Sequence, residues 1–501
     1  MGRYVITLDQ GTTSSRAIVF DVLGNIISSV NKEHKQIYPK PGWIEHDPME
    51  IWANQVEVLR AVVEKSNIST EDILSLGITN QRETVVLWDK NTGEPVYNAI
   101  VWQCRRTADI CEQLKKEGLE EQIHQKTGLI IDAYFSATKI KWILDKFPNI
   151  RQEAQKGNIY AGTMDTWLIW NLTNRKAFAT DYTNASRTML YNIRSLKWDE
   201  DILNTLNIPI TILPEVKPSG YIYGFIDKSI LGREIPIASA MGDQQASLFG
   251  QACFKAGMAK NTYGTGCFML ANTGNQPVFS KNKLLTTIAW GIGDKVDYAI
   301  EGSVFVAGSA IQWLRDGLKL INTARQCDEF AESVEDTHGV YFVPAFSGLG
   351  TPYWDMYARG AIFGITGGVT QEHLARATLE AIAYQVKDLV ECMKSDALCD
   401  CSLLKVDGGA SVSDIMMQFQ ADILRINVVR PKVIETTALG AAFMAGLQTG
   451  MWSNLDEIAE IWEVEQVFKP QMEEECGNKL YAGWGKAVSR TLGWVDKDII
   501  D

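Results

Sequence analysis

Apolar runs closed by glycine or by polar turns dominate the first ninety residues. Tyr4–Leu8, Arg16–Asp21 and Asn25–Val30 are rich in Ile and Val and are punctuated by Gly11 and Gly24, the pattern of three successive strands. From Ile51 to Val63 the apolar positions recur at helical spacing instead. Asp47 stands before them as an N-cap, Pro48 suits the first helical position, and Glu50 falls three residues after the cap. Leu74–Thr79 and Val85–Trp88 return to a strand pattern. The order β-β-β-α-β predicts a mixed sheet with helices packed on it.

The second half repeats this rhythm. Met258–Tyr263, Cys267–Asn272, Leu284–Trp290 and Val296–Ile300 predict strands, and Ser309–Leu320 predicts a helix. Further helices are expected over His373–Lys394, Ser413–Leu424 and Thr437–Thr449, the last with small residues Gly440-Ala441-Ala442 that permit close helix–sheet contact. The repetition implies an internal duplication of one α/β unit with a boundary near Phe249–Lys255. Domains over 1–252 and 253–501 would then face each other across a cleft able to close on a ligand.

Bulk properties narrow the class. A chain of 501 residues exceeds one ordinary core. Hydrophobic content of 46% with 22% charged residues is that of a folded globular protein. A net charge of −13 argues against nucleic acid as a partner. The nine cysteines are scattered, with only Cys399 and Cys401 close together, which predicts free thiols in a reducing compartment. No CxxC or HExxH spacing suggests zinc. No apolar run reaches membrane-spanning length, no signal-like segment opens the chain, and Ile6 stands where myristoylation needs Ser or Thr. The cytoplasm is the expected location.

Candidate chemistry gathers at the turns. Asp9-Gln10-Gly11-Thr12-Thr13-Ser14-Ser15-Arg16 is echoed by Tyr263-Gly264-Thr265-Gly266-Cys267. Both are strand, Gly-Thr turn, strand, and such turns present backbone N–H groups and hydroxyls to anions. Two of them predict a phosphate tail gripped from two sides. Asp9 suits contact with a phosphate-bound Mg²⁺ or, alternatively, capping of its own turn. There is no Walker A motif, and no GxGxxG opens a helix, which disfavours a dinucleotide fold. Asp407-Gly408-Gly409 joins an apolar stretch to a helix, as a ligand-approach turn or a plain one. Arg82-Glu83, between two strand-like runs, suits vicinal hydroxyls or, otherwise, a solvated ion pair. Asp243, after Gly242 at a strand end, is either a carboxylate able to accept a proton from a hydroxyl or a helix N-cap. Trp102, Tyr134 and Phe268 stand beside polar stretches, where they would cover the C–H faces of a polyol.

Together these segments resemble the FGGY family of carbohydrate kinases. The likeness covers essentially the whole chain and is strongest at Leu8–Arg16, Pro41–His46, Thr79–Thr84, Ala99–Thr107, Asp181–Leu190, Gly242–Ala246, Tyr263–Phe268 and Pro352–Asp355 with Ala358-Arg359-Gly360. The resemblance implies two ribonuclease H-like, actin-like ATPase domains with the site between them. The first would hold the polyol and one phosphate loop, and the second the adenine nucleotide. It further implies ATP- and Mg²⁺-dependent phosphorylation of glycerol to sn-glycerol 3-phosphate, at the entry to glycerol catabolism, by a homodimer or homotetramer. By position, Arg82, Glu83, Trp102, Tyr134, Asp243, Gln244 and Phe268 would form the glycerol pocket, with Asp243 as general base. Thr12, Thr13, Ser14, Arg16 and Thr265 would hold phosphates, Gly308, Gln312, Gly409 and Ser413 the nucleoside, and Asp9 and Asp243 the metal. Ser413 departs from the Asn that many relatives carry near the adenine. The stretch Gly224–Arg233 lacks both the glycine-rich effector loop and the phosphorylated histidine of some relatives. Rival readings are a family kinase for a pentulose or hexulose, and an actin-like nucleotide switch.

Overall fold

A computed structural model describes residues 3–396 and 402–495; Cys399 and Cys401 lie outside them. One mixed sheet of thirteen strands runs through the molecule. Its strands are β1 (Tyr4–Gln10), β2 (Ser14–Phe20), β3 (Ile26–Glu33), β4 (Ile73–Asn80), β5 (Gly220–Phe225), β6 (Pro236–Gly242), β7 (Ala259–Tyr263), β8 (Cys267–Gly274), β9 (Leu285–Ile292), β10 (Lys295–Val304), β11 (Leu403–Asp407), β12 (Asn427–Pro431) and β13 (Val464–Phe468). The spatial order is β13-β12-β11-β7-β8-β10-β9-β5-β6-β4-β1-β2-β3.

The duplication is visible in strand direction. In the first half β3, β2 and β1 are antiparallel neighbours, and β1, β4 and β6 run parallel. In the second, β10, β8 and β7 are antiparallel, and β7, β11 and β12 run parallel. β8 does not pair with β9, the next strand in sequence, but with β10. The β9–β10 hairpin closes on itself, so only the far side of β10 is left for β8, and β9 becomes the extra strand that meets β5 through Gly220 and Ile292.

Helices cover both faces of the sheet. The helices used below are α1 (Pro48–Ser66), α2 (Asp243–Gly250), α3 (Gly308–Asp316), α4 (Gln371–Ser395), α5 (Asp414–Leu424) and α6 (Thr436–Gln448). Asp47 caps α1 by accepting from the N–H groups of Met49 and Glu50. Glu50 does not complete a capping box; its carboxylate accepts from the Lys35 N–H. α1 buries Val58, Leu59 and Val62 beneath Ile6, Leu8 and Ile78, each such side chain contributing about 1.5–3 kcal/mol.

The opposite face of the first-half strands is covered by α6, an element of the second half. Thr7, Ser75 and Ser239 donate hydroxyl hydrogen bonds to the carbonyls of Ala438, Ala445 and Ala441. The run Gly440-Ala441-Ala442 permits this approach, and it also brings α6 against α2. A Cβ on Gly440 would stand 1.8 Å from the Ala246 carbonyl oxygen, and one on Gly250 2.0 Å from that of Thr436. The two halves are therefore joined at their centre by a pair of helices in backbone contact. The described cysteines are all free thiols, and no described helix is long and apolar enough to cross a membrane.

Candidate active site

Strand register brings the polar turns to one edge of the sheet. Gln10, Asn80 and Gly242 are aligned partners at the carboxyl ends of the parallel strands β1, β4 and β6. Thr262 and Asp407 are aligned likewise on β7 and β11. Carboxyl ends of parallel strands are where open α/β sheets leave a crevice. The segments that follow them line one cavity of about 360 Å³, with Thr12, Arg82, Asp243, Thr265, Phe268 and Gly409 on its walls.

A buried charge cluster forms the floor. Glu83, in the turn after β4, has a φ of 59°, a left-handed backbone that costs a non-glycine residue about 1 kcal/mol or more and concentrates at functional sites. Arg82 is 2% exposed, so the reading of a solvated surface ion pair is excluded. Its guanidinium donates to both oxygens of Glu301, at 2.5 and 3.0 Å, to Gln245 Oε1 at 3.1 Å and to the Tyr134 hydroxyl at 3.3 Å. Its Nε lies 3.2 Å from Asp243 Oδ1. Arg187 donates to Glu83 at 2.6 Å and to Glu301 at 2.9 Å. Burial works to raise the Glu301 carboxyl, but Arg187 and Arg82 outweigh it and hold the group at about 2. Glu83 is raised, because burial outweighs the pull of Arg187 and Arg82.

Asp243 is the first residue of α2, and Gly242 holds the N-cap position. Asp243 Oδ1 accepts the Gln244 backbone N–H at 2.8 Å, and Oδ2 accepts from the Gln244 side-chain amide at 3.1 Å. Burial raises its pKa, with Arg82 opposing. The side chain keeps 30% exposure, so this carboxylate opens onto the cavity while Glu301 does not. Trp102 packs edge-on against Tyr134 and Phe268, with ring centroids 5.6 and 5.9 Å apart. The Trp102 indole donates to Thr12 Oγ1 at 3.0 Å, tying the aromatic wall to the first Gly-Thr turn.

The two turns diverge in what they offer. Thr12 and Arg16 line the cavity, whereas Thr13 and Ser14 are not among its lining residues. The Thr13 and Ser14 carbonyls accept from His34 and Gly11. Arg16 is held between Asp9, at 2.5 Å, and Glu435, at 2.8 Å. Gly264, Thr265 and Gly409 are shared with a second cavity of about 580 Å³, which Gly308, Gln312 and Ser413 also line. The two cavities thus adjoin at the Gly264-Thr265 turn and Gly409. Ser413 caps α5 through the Met416 N–H and donates to Asp328 at 2.6 Å, so its hydroxyl is engaged within the protein. Among the described residues no group of three His, Cys, Asp or Glu is placed to hold a metal. Asp9, paired with Arg16, and Asp243 are two separate hard-oxygen donors that line the same cavity.

Glu301, Arg187, Gln245 and Lys260 join the site without a motif of their own to mark them. A lone Glu after the apolar run Ala299-Ile300 and a lone Lys opening Lys260-Asn261-Thr262 were the available signals, since charged residues inside strands are seldom fully buried without partners.

The chain matches family models described as "FGGY family of carbohydrate kinases", N-terminal domain over residues 4–250 and C-terminal domain over residues 259–449. It is 63% identical to the glycerol kinase of Caldanaerobacter subterraneus subsp. tengcongensis over 99% of this chain and 100% of that protein. With glycerol kinase 2 of Thermotoga maritima the identity is 61% over 98% and 99%. Among solved structures, Plasmodium falciparum glycerol kinase with ADP superposes with a TM-score of 0.88 at 39% identity, covering 98% of each chain. A xylulose kinase of Lactobacillus acidophilus reaches 0.86 at 24% identity, over 97% and 98%, a likeness of fold alone.

Proposed function

We infer that this chain, which belongs to the FGGY family of carbohydrate kinases, transfers the terminal phosphoryl group of ATP to a terminal hydroxyl of glycerol, giving sn-glycerol 3-phosphate and ADP. One observation carries the reading at the level of chemistry. A partly exposed carboxylate, Asp243, stands 3.2 Å from Arg82 in a cavity that the Thr12 and Thr265 turns also line.

Phosphoryl transfer asks the protein for positioning and charge stabilisation more than for covalent chemistry. Arg82 and Glu83 bind two glycerol hydroxyls, and Asp243 takes the proton of the third as its oxygen attacks phosphorus. Trp102, Tyr134 and Phe268 close around the C–H faces, with Gln244 beside Asp243 on the pocket wall, and leave room for a three-carbon ligand. Thr12, Arg16 and Thr265 receive the phosphates, and Gly308, Gln312 and Gly409 border the nucleoside. Ser413 also borders the second cavity and caps α5 there. Thr13 and Ser14 support the first turn through backbone carbonyls. Mg²⁺ bound to the phosphates would neutralise their charge, with Asp9 and Asp243 supplying the hard oxygens that suit it. Residues 1–252 carry most of the glycerol pocket and the first phosphate turn, and 253–501 the nucleotide side, a division supported by N- and C-terminal family models over 4–250 and 259–449. A cytoplasmic homodimer or homotetramer follows from the family resemblance.

A coupled assay of ADP release with ATP, Mg²⁺ and a panel of glycerol, xylulose, ribulose and gluconate tests the substrate. Glycerol is expected to exceed every ketose and aldonate by at least about 100-fold in kcat/KM, as a site built to hydrogen-bond one hydroxyl pattern discriminates. A faster ketose would overturn the glycerol reading, and background turnover with every compound would overturn the kinase reading.

A further inference from the structure

We propose that Lys260 is a positioning residue for phosphoryl transfer, acting on the Asp243 carboxylate through the side-chain amide of Gln244. The proposal rests on the reading of Asp243 as general base. Lys260 lies on β7 and is fully buried. Its ammonium donates to Gln244 Oε1 at 2.7 Å, to Thr262 Oγ1 at 2.7 Å and to the Phe268 carbonyl at 3.4 Å. Three protons meet three acceptors, which is the full donor capacity of an ammonium, and all three acceptors are neutral.

A buried cation costs several kcal/mol of desolvation, and an apolar side chain of similar length would fill the same volume without that cost. What the ammonium adds is direction. Lysine has no acceptor, so only the amide oxygen of Gln244 can face it, and the amide nitrogen is then turned toward Asp243 Oδ2, 3.1 Å away. Asp243 Oδ1 is meanwhile held by the Gln244 backbone N–H and faces Arg82 Nε. Both oxygens of the carboxylate are thereby fixed, one of them by way of Lys260. An amide freed to rotate would present its oxygen to the carboxylate and push it off line.

The contact also spans the two halves of the chain. Gln244 belongs to α2, which follows β6, while Thr262 and Phe268 flank the Gly264–Gly266 turn between β7 and β8. Lys260 therefore sets the distance between the carboxylate that takes the proton and the turn assigned to phosphate. Displacement of a reacting group by about 1 Å costs on the order of 100-fold in rate, so the loss should fall on kcat.

A double-mutant cycle tests this, using Lys260→Met, Gln244→Leu and the combined variant in the full chain, with kcat measured at saturating glycerol and ATP. Circular dichroism and the ADP dissociation constant serve as fold controls. Lys260→Met is expected to lower kcat about 10- to 100-fold in the wild-type background and less than about 3-fold in the Gln244→Leu background, the non-additivity of residues acting as one unit. Losses that multiply, or a kcat within about 3-fold of wild type, overturn the proposal. Should Lys260→Met not fold, Lys260→Arg replaces it. Arginine can also only donate, so it should keep the amide direction and most of kcat in the wild-type background, and a kcat loss there of more than about 10-fold that recurs in the Gln244→Leu background overturns the proposal. Wild-type protein without ATP-dependent glycerol phosphorylation would instead refute the functional reading itself. An additive cycle in an active enzyme refutes only the role of Lys260.

Discussion

Replacing Glu301 by Gln removes a carboxylate to which both buried guanidiniums donate hydrogen bonds, while keeping the shape of the side chain. Glu301 is fully buried, grips Arg82 with two oxygens, and takes a third bond from Arg187 and a fourth from Ser303. Its carboxyl is held at about 2 against an ordinary 4.5. At 1.36 kcal/mol per pKa unit, this difference corresponds to about 3 kcal/mol of folded-state stabilisation, in line with the cost of breaking a buried ion pair. The sign follows from the direction of the shift. A carboxylate depressed in the folded state contributes fully above the unfolded value of 4.5 and loses that contribution only as pH falls toward 2. Urea melts of Glu301→Gln and wild type at pH 5, 6, 7 and 8 should therefore differ by about 3 kcal/mol at every pH. The glycerol KM should rise as Arg82 loses its clamp. A midpoint equal to wild type, or a gap that changes steeply between pH 5 and 8, would refute the assignment of charge to Glu301.

Other perturbations probe separate parts of the structure. Burial and the neighbouring Asp181 push Asp165 up to about 7, so the folded state holds a proton there that the unfolded state releases near 3.8, and stability should decline as pH rises between those values. Asp165→Asn should flatten that slope in thermal melts. Gly440→Ala places a Cβ 1.8 Å from the Ala246 carbonyl, and chemical denaturation should show a loss of at least about 1–3 kcal/mol as α2 and α6 are forced apart. Ser413→Ala removes the α5 cap and leaves Asp328 without its hydroxyl donor. It should cost about 1 kcal/mol and leave the ADP dissociation constant, measured by calorimetry, within about 3-fold.

Much of this architecture was legible because the turns that carry chemistry also break the strand pattern. Gly11, Gly242, Gly264 and Gly408 each close a strand-like run or the polar residues that end it, and register then aligns those ends. The capping of α1 by Asp47 was readable for the same local reason. Strand order in the second half was not, because pairing of neighbours fails when a tight hairpin such as β9–β10 leaves one edge free. The cluster around Arg82 was half visible. Arg82, Glu83 and Asp243 sit in polar turns, whereas Glu301 and Lys260 are single charges within strands whose partners lie 219 and 16 residues away. Nothing local marks such residues as paired. Ser413 lines the second cavity while its hydroxyl donates to Asp328, an engagement that no local pattern marks.

The most direct test of the account is the turnover of Asp243→Asn set beside its affinity for glycerol. With the proton acceptor removed and the shape kept, kcat should fall by about 10²- to 10⁴-fold, the usual contribution of a positioned base. The glycerol dissociation constant should stay within about tenfold. Near-normal turnover by this variant would contradict the central claim that a carboxylate at the end of β6 takes the proton of the attacking hydroxyl.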